Sequence, residues 1–311
     1  MKDALINNTP AKTILVIGEL LADLISENNI ESLAFASNFI INQGGSPANL
    51  SANLKWLGNH TELVSCVGED GLGDYLINEM EMAGLSPKYL QRIPKHQTSI
   101  VLVGKSTGTP DFIAYRHADM HIARIDDQLI ESSALLHTTA FALSKEPAKS
   151  HILEAFAKAY RSGKYVSIDW NYSPAIWNDD NGREVFDQIC GFKPLLKISM
   201  DDMERFLDRN LTVQESINAL NGLNALVICL TCGKDGVWYK AKNGPWIHKP
   251  ALTVPSVVNV TGAGDAFWAG FLSHFIQEKS IEKCIDHALS IARKKIESAG
   301  ALYKTEHIAK I

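Results

Sequence analysis

The sequence predicts an α/β protein with a doubly wound, mostly parallel central sheet flanked by helices, plus a small β-sheet lid. Three observations carry that expectation. Short, almost wholly apolar runs recur along the chain, as strands buried on both faces require. Helical patterns lie between many of them, the signature of βαβ units. Two segments, about 29–43 and 98–118, instead alternate in polarity and carry turn residues, which suits a small sheet projecting from the main one. No repeat, low-complexity tract or linker divides the chain, so residues 1–311 read as one domain with a lid.

The elements follow in order. Residues 13–18 hold the apolar run Ile14-Leu15-Val16-Ile17 and form the first strand. Ser46-Pro47-Ala48-Asn49 opens a helix, with Ser46 as N-cap and Pro47 at the first helical position. Leu50, Leu54 and Leu57 share one face of it, and Gly58 ends it. Strands are expected at 63–67, 99–103, 165–169, 195–199 and 225–230, and helices at 75–83, 150–162 and 281–298. The lid segment 98–118 turns at Thr107-Gly108-Thr109-Pro110. Phe267, Phe271 and Phe275 recur at helical spacing and mark a further helix.

Composition excludes several functions. Apolar content of 46% and charged content of 21% are ordinary for a globular protein. A net charge of -5 leaves no electrostatic footprint for nucleic acid. No run of about 18 apolar residues is present, so no membrane span is expected. Met1 to Lys12 is polar and lacks a secretory core, which points to the cytoplasm. Cys66, Cys190, Cys229, Cys232 and Cys284 are scattered and odd in number, as reduced thiols would be. Cys229 and Cys232 form a C-x-x-C with no second pair, and His117 and His121 sit in a strand-and-loop context, so neither pair reads as a metal site.

Chemistry concentrates in Asn259-Val260-Thr261-Gly262-Ala263-Gly264-Asp265. Gly262, Ala263 and Gly264 lead into a helix, where bare N–H groups and the helix dipole favour an anion. A carboxylate there would repel a bound phosphate. It makes sense if Asp265 takes a proton from a hydroxyl that attacks phosphorus, while the N–H groups stabilise charge on the transferring phosphoryl group. The same residues would also serve as a plain strand-to-helix turn. Neither Gly104-Lys105-Ser106 nor Gly233-Lys234-Asp235 completes a P-loop, and Phe267 breaks a dinucleotide fingerprint. Gly44-Gly45 with Asn49 forms a second glycine-rich turn, suited to close approach by a polyol. Asp23 follows the first strand, and Asp169-Trp170-Asn171 follows another, placing polar groups at the carboxyl edge of the sheet.

Taken together these residues resemble the ribokinase, or pfkB, family of carbohydrate kinases over nearly the whole chain. Gly44, Gly45 and Asn49 with Leu57-Gly58 are similar to its N-terminal signature, and Asn259 to Leu272 to its C-terminal one. The resemblance implies that Asp265 is the base and that Gly262, Ala263 and Gly264 form the anion hole. It implies that Asp23, Gly44, Gly45, Asn49, Arg116 and Asn171 hold the sugar. Lys197, Ser199, Thr231, Gly233, Gly236 and Gly264 would serve ATP. Mg²⁺ would bridge the phosphates largely through water, with Asp202 nearby. The lid would close over the sugar.

Three positions depart from the family pattern. Asn259 stands where relatives carry an Asp that helps form a monovalent-cation site, which speaks against potassium activation. Ser199-Met200-Asp201-Asp202 replaces an Asn-x-x-Glu motif, and Ser173 stands where an Arg is common. The lid run Phe112-Ile113-Ala114-Tyr115-Arg116 resembles that of fructokinases and of 2-keto-3-deoxygluconate kinases, so D-fructose is the expected acceptor, with 2-keto-3-deoxygluconate and ribose as alternatives. A sugar-binding pseudokinase is the non-enzymatic alternative. Leu33, Phe35, Phe39 and Ile41 make the lid apolar, and a homodimer through it is expected.

Overall fold

The computed structural model describes residues 12–106, 111–177 and 182–304; the turn at 107–110 lies outside them. In the first part of the chain the strands are β1 (Thr13–Ile17), β2 (Leu21–Ser26), β3 (Phe39–Gly44), β4 (Thr61–Gly68), β5 (Leu90–Ile93), β6 (Ile100–Val103) and β7 (Phe112–Tyr115). The later strands are β8 (Ser133–Thr139), β9 (Tyr165–Asp169), β10 (Leu195–Ser199), β11 (Val227–Thr231), β12 (Val237–Ala241) and β13 (Ile247–Lys249). The helices begin with α1 (Ser46–Trp56), α2 (Gly71–Met82), α3 (Asp127–Ser132) and α4 (Ala148–Arg161). They continue with α5 (Gly182–Cys190), α6 (Met200–Leu207), α7 (Val213–Leu220), α8 (Ala263–Ile276) and α9 (Ile281–Ile296).

Nine strands form the main sheet in the order β13-β12-β11-β10-β9-β8-β1-β4-β5. Pairing is parallel from β5 through to β11, and β12 and β13 add an antiparallel edge. The chain leaves β1 toward β4 and later returns to β8 on its other side, so strand order reverses between β1 and β8. Ligands of open α/β sheets bind beyond the carboxyl ends at such a reversal. Alternate residues of β1 enter different cores. Ile14 and Val16 pack with α1, α2, α8 and α9, whereas Leu15 and Ile17 pack with α4 to α7. Both faces of the sheet are therefore dry, which explains the unbroken apolar runs.

The separate four-stranded sheet runs β3-β2-β6-β7. It contains Leu21–Ser26, which the sequence reading left unassigned, and only the last five residues of 29–43; residues Leu33–Phe35 form a short 3-10 turn. Asp23, expected just past the first strand, lies inside β2, opposite Asn42 of β3 and Val101 of β6. The run at 99–103 belongs to this sheet and not to the main one. Ser46 is a further correction. Gly45, at φ 96°, occupies the cap position, and Ser46 is the first helical residue.

Candidate active site

The site forms where the carboxyl ends of β1, β8, β9 and β10 meet the N-terminus of α8 and the inner edge of the small sheet. Gly262 caps α8 in the left-handed region at φ 77°, a conformation glycine adopts without penalty. The preceding turn is self-supporting, because Thr261 N–H donates to Asn259 Oδ1 at 2.9 Å and Ala263 N–H to the Val260 carbonyl at 3.1 Å. Ala263 is thereby committed to the turn. Among the described residues the Gly264 and Asp265 N–H groups have no acceptor, as first-turn donors of a helix do not.

Asp265 is held from the neighbouring helix. Ser46 Oγ donates to Asp265 Oδ1 at 2.6 Å and Asn49 Nδ2 to Oδ2 at 3.0 Å. Ser46, as the first helical residue of α1, turns its hydroxyl to the carboxylate rather than to the helix backbone. Burial pushes the Asp265 carboxyl up to about 6, the Asp169 charge adds to that, and Ser46, Lys197 and Asn49 oppose it. Asp23 is raised to about 7 by burial and by the Asp265 charge. A Cβ on Gly44 would lie 2.4 Å from the Asp23 carboxyl carbon, and one on Gly45 would lie 2.4 Å from the Glu19 carbonyl oxygen. These two glycines let strand β3 and the start of α1 pass against the acids.

Lys197 and Asp169 form a buried pair, with Nζ 2.7 Å from Oδ2. The Lys197 ammonium also lies 3.2 Å from the position a Cβ on Gly264 would take, so it faces the α8 N-terminus. Burial alone would lower the Lys197 pKa, but the charges of Asp169, Asp202 and Asp265 and the Asp169 hydrogen bond raise it, so it stays charged. Among the described residues, the buried Asp169 Oδ1 has no partner. Asn171, just beyond β9, is exposed at the same edge.

Ser199 and Asp202, at the carboxyl end of β10, are engaged with each other. They form the capping box of α6. Ser199 N–H and Oγ both donate to Asp202 Oδ2, and Asp202 N–H donates to Ser199 Oγ. Arg205 approaches Asp202 Oδ1 at 3.6 Å. Both carboxylate oxygens are thus engaged within the protein. Among the described residues no group of three or more His, Cys, Asp or Glu could hold a metal ion. A divalent ion at this site would depend on phosphate and water oxygens, the ordinary habit of Mg²⁺.

On the far side, Thr231 ends β11, and Gly233 and Gly236 flank a 3-10 turn at φ 56° and 95°. A Cβ on Gly236 would lie 2.2 Å from the Lys249 carbonyl oxygen, so that glycine admits the β13 backbone. Arg116 is buried rather than displayed on the lid. Its Nε donates to Asp119 Oδ2 at 2.8 Å, its Nη2 also reaches Asp119 Oδ2, Nη1 donates to Ser144 Oγ, and the guanidinium lies over Phe141. Ser99 Oγ donates to Asp119 Oδ1 at 2.5 Å, fixing the acid. Glu19, buried beside this group, accepts from Thr139 Oγ1 at 3.1 Å and is raised to about 8 by its burial.

Two residues escaped the sequence reading. Glu19 was visible after β1 but had no assigned partner. Lys295 is the second: buried residues of α9 recur at 284, 288, 291 and 295, and the last position of that apolar stripe is a lysine. A cation on a core-facing stripe was the available signal.

A model of the pfkB family of carbohydrate kinases matches residues 11–308. The chain belongs to that family. This pfkB kinase is 33% identical over 295 residues to an ATP-dependent 6-phosphofructokinase of Thermoanaerobacterium thermosaccharolyticum, covering 93% of this chain and 89% of that one. It is 29% identical to a fructokinase of Klebsiella pneumoniae, over 84% and 83% of the two chains. Halothermothrix orenii fructokinase superposes with a TM-score of 0.80 at 30% identity, covering 90% and 98%. The sugar kinase PH1459 from Pyrococcus horikoshii, solved in complex with ATP, gives 0.80 at 25% identity over 93% and 94%.

Proposed function

We propose that this pfkB kinase transfers the terminal phosphoryl group of Mg-ATP to a hydroxyl of D-fructose. The observation that carries the reading is Asp265. Its carboxylate is fixed by Ser46 and Asn49 beside the unpaired Gly264 and Asp265 N–H groups. Asp23 and Asn49 orient the sugar. Asp265 accepts the proton of the attacking hydroxyl. The N–H donors and Lys197 receive the charge on the transferring group. Mg²⁺, when bound, neutralises the phosphates. The Thr231, Gly233 and Gly236 turn lies on the nucleotide side.

Arg116 favours a neutral acceptor. Its charge is paired with Asp119, and Nη1 and one face are engaged within the protein, so it is less available to a sugar acid such as 2-keto-3-deoxygluconate. A second acceptor, fructose 6-phosphate, is kept because of the 33% identical 6-phosphofructokinase. ADP formation from Mg-ATP is to be measured against fructose, fructose 6-phosphate, 2-keto-3-deoxygluconate and ribose. Fructose should give the highest kcat/KM. Turnover of fructose 6-phosphate alone would move the assignment to that sugar phosphate, and turnover of the keto acid alone would contradict the role given to Arg116.

The small sheet is also proposed to pair two copies of the chain. Phe35, Ile40, Ile41, Ile113 and Tyr115 leave much of their surface exposed there.

A further inference from the structure

The N-terminus of α8 has a second buried cation that the proposed reaction has not used. Lys295 lies on α9, which packs along α8 through Gly270, where a Cβ would sit 2.9 Å from the Ala288 Cα. Only 7% of Lys295 is exposed, and among the described residues its ammonium makes no hydrogen bond or ion pair. Its Cε lies 3.5 Å from the position of a Cβ on Gly262, and Asp265 Oδ2 lies 4.0 Å from that same point. The lysine therefore ends beside the turn that carries the unpaired N–H groups. The turn is also tied to the helix end that holds Lys295: Val258 and Asn259 N–H both donate to the Ile296 carbonyl, and Asn259 Nδ2 to the Ala299 carbonyl.

An ammonium without a partner beside a turn of bare N–H donors is a ready counter-charge for an anion that visits it. Burial lowers the Lys295 pKa below its ordinary value, and the Asp265 charge opposes that shift. Asp265 lies too far away to form an ion pair with it. A phosphoryl group arriving at Gly264 and Asp265 would supply the missing charge. Asn259, the position where relatives carry a cation-binding Asp, lies against the same stretch of chain.

We propose that Lys295 is a tethered cation of the phosphoryl-binding turn, holding the turn electropositive so that no added monovalent cation is needed. Lys295 is a positioning residue: it acts through the Gly262 turn and the charge that develops there. The proposal rests on the kinase reading above, and its test separates the two.

Turnover of the full chain with its preferred sugar is to be measured in choline, potassium and ammonium chloride at constant ionic strength, for the wild type and for Lys295→Ala. The wild type should vary less than about twofold among the salts. The variant should lose on the order of 10²-fold in kcat in choline, the loss seen when one oxyanion donor is removed, with sugar KM little changed. Potassium or ammonium should restore a good part of it, an effect that mere structural damage would not show. A wild type strongly activated by potassium, a variant with normal kcat, or a loss that no cation relieves would overturn the proposal. A second arm needs no turnover. By calorimetry, Lys295→Ala should weaken binding of the Mg complex of the β,γ-imido analogue of ATP about tenfold while leaving Mg-ADP affinity unchanged. Equal effects on both nucleotides would also overturn it. Should no sugar be turned over by the wild type, the kinase reading falls, and the nucleotide arm still decides the role of Lys295.

Discussion

At the scale of single residues, the site works by placing acids where water is scarce. Asp265 and Asp23 are raised to about 6 and about 7, burial being the leading cause for each. A base must be deprotonated to accept a proton, and Asp23 accepts sugar hydroxyls best when charged. Activity is therefore expected to fall as pH drops through these values. kcat/KM for the sugar should show an acid limb between about 6 and about 7. A profile flat from well below that window to neutral pH would contradict the assignment. The catalytic turn was legible in the sequence because glycines and a carboxylate at a helix start have few other uses. The partners were not. Ser46 and Asn49 stand more than two hundred positions from Asp265, and no local pattern announces that they meet it. Arg116 was legible as a lid charge, but its burial against Asp119 and Phe141 follows from packing that spacing does not encode.

At the scale of elements, α8 and α9 form the frame of the phosphoryl-binding turn. Gly270 allows them to approach, since a Cβ there would press on Ala288 Cα at 2.9 Å and on Ile291 at 3.1 to 3.2 Å. Gly270→Ala adds helix propensity of up to about 1 kcal/mol, but overpacking costs typically about 1–3 kcal/mol. A lower denaturation midpoint is expected by chemical unfolding, and an unchanged or higher one would show that α9 can yield. Long apolar strands such as β1, β9 and β10 were readable because burial on both faces leaves no polar gaps. β8 was missed for the opposite reason. Ser133, His137, Thr138 and Thr139 are buried polar residues, and some find partners across the sheet, as when His137 Nδ1 meets Ser167 Oγ at 2.9 Å. β2 was missed because it lies directly after β1 and belongs to a different sheet. Helices α5, α6 and α7 are short, and the capping boxes at Ser199 and Thr212 were the signals for two of them.

At the scale of the molecule, the strand reversal beside β1 gathers residues from the whole chain at one edge, and the small sheet stands beside it. Its exposed apolar residues are the surface that pairing would cover. Replacing Ile41 and Ile113, which share one face of the small sheet, with Lys is expected to convert a dimer to a monomer in sedimentation experiments. A wild type that sediments as a monomer at micromolar concentration would contradict the pairing. The central claim concerns the carboxylate at the start of α8. The most direct measurement compares sugar-dependent ADP formation by the wild type and by Asp265→Asn, with sugar affinity measured by calorimetry on both. The account predicts that kcat falls on the order of 10²–10⁴-fold while the variant still binds the sugar. Near-normal turnover in the variant would show that Asp265 is not the base.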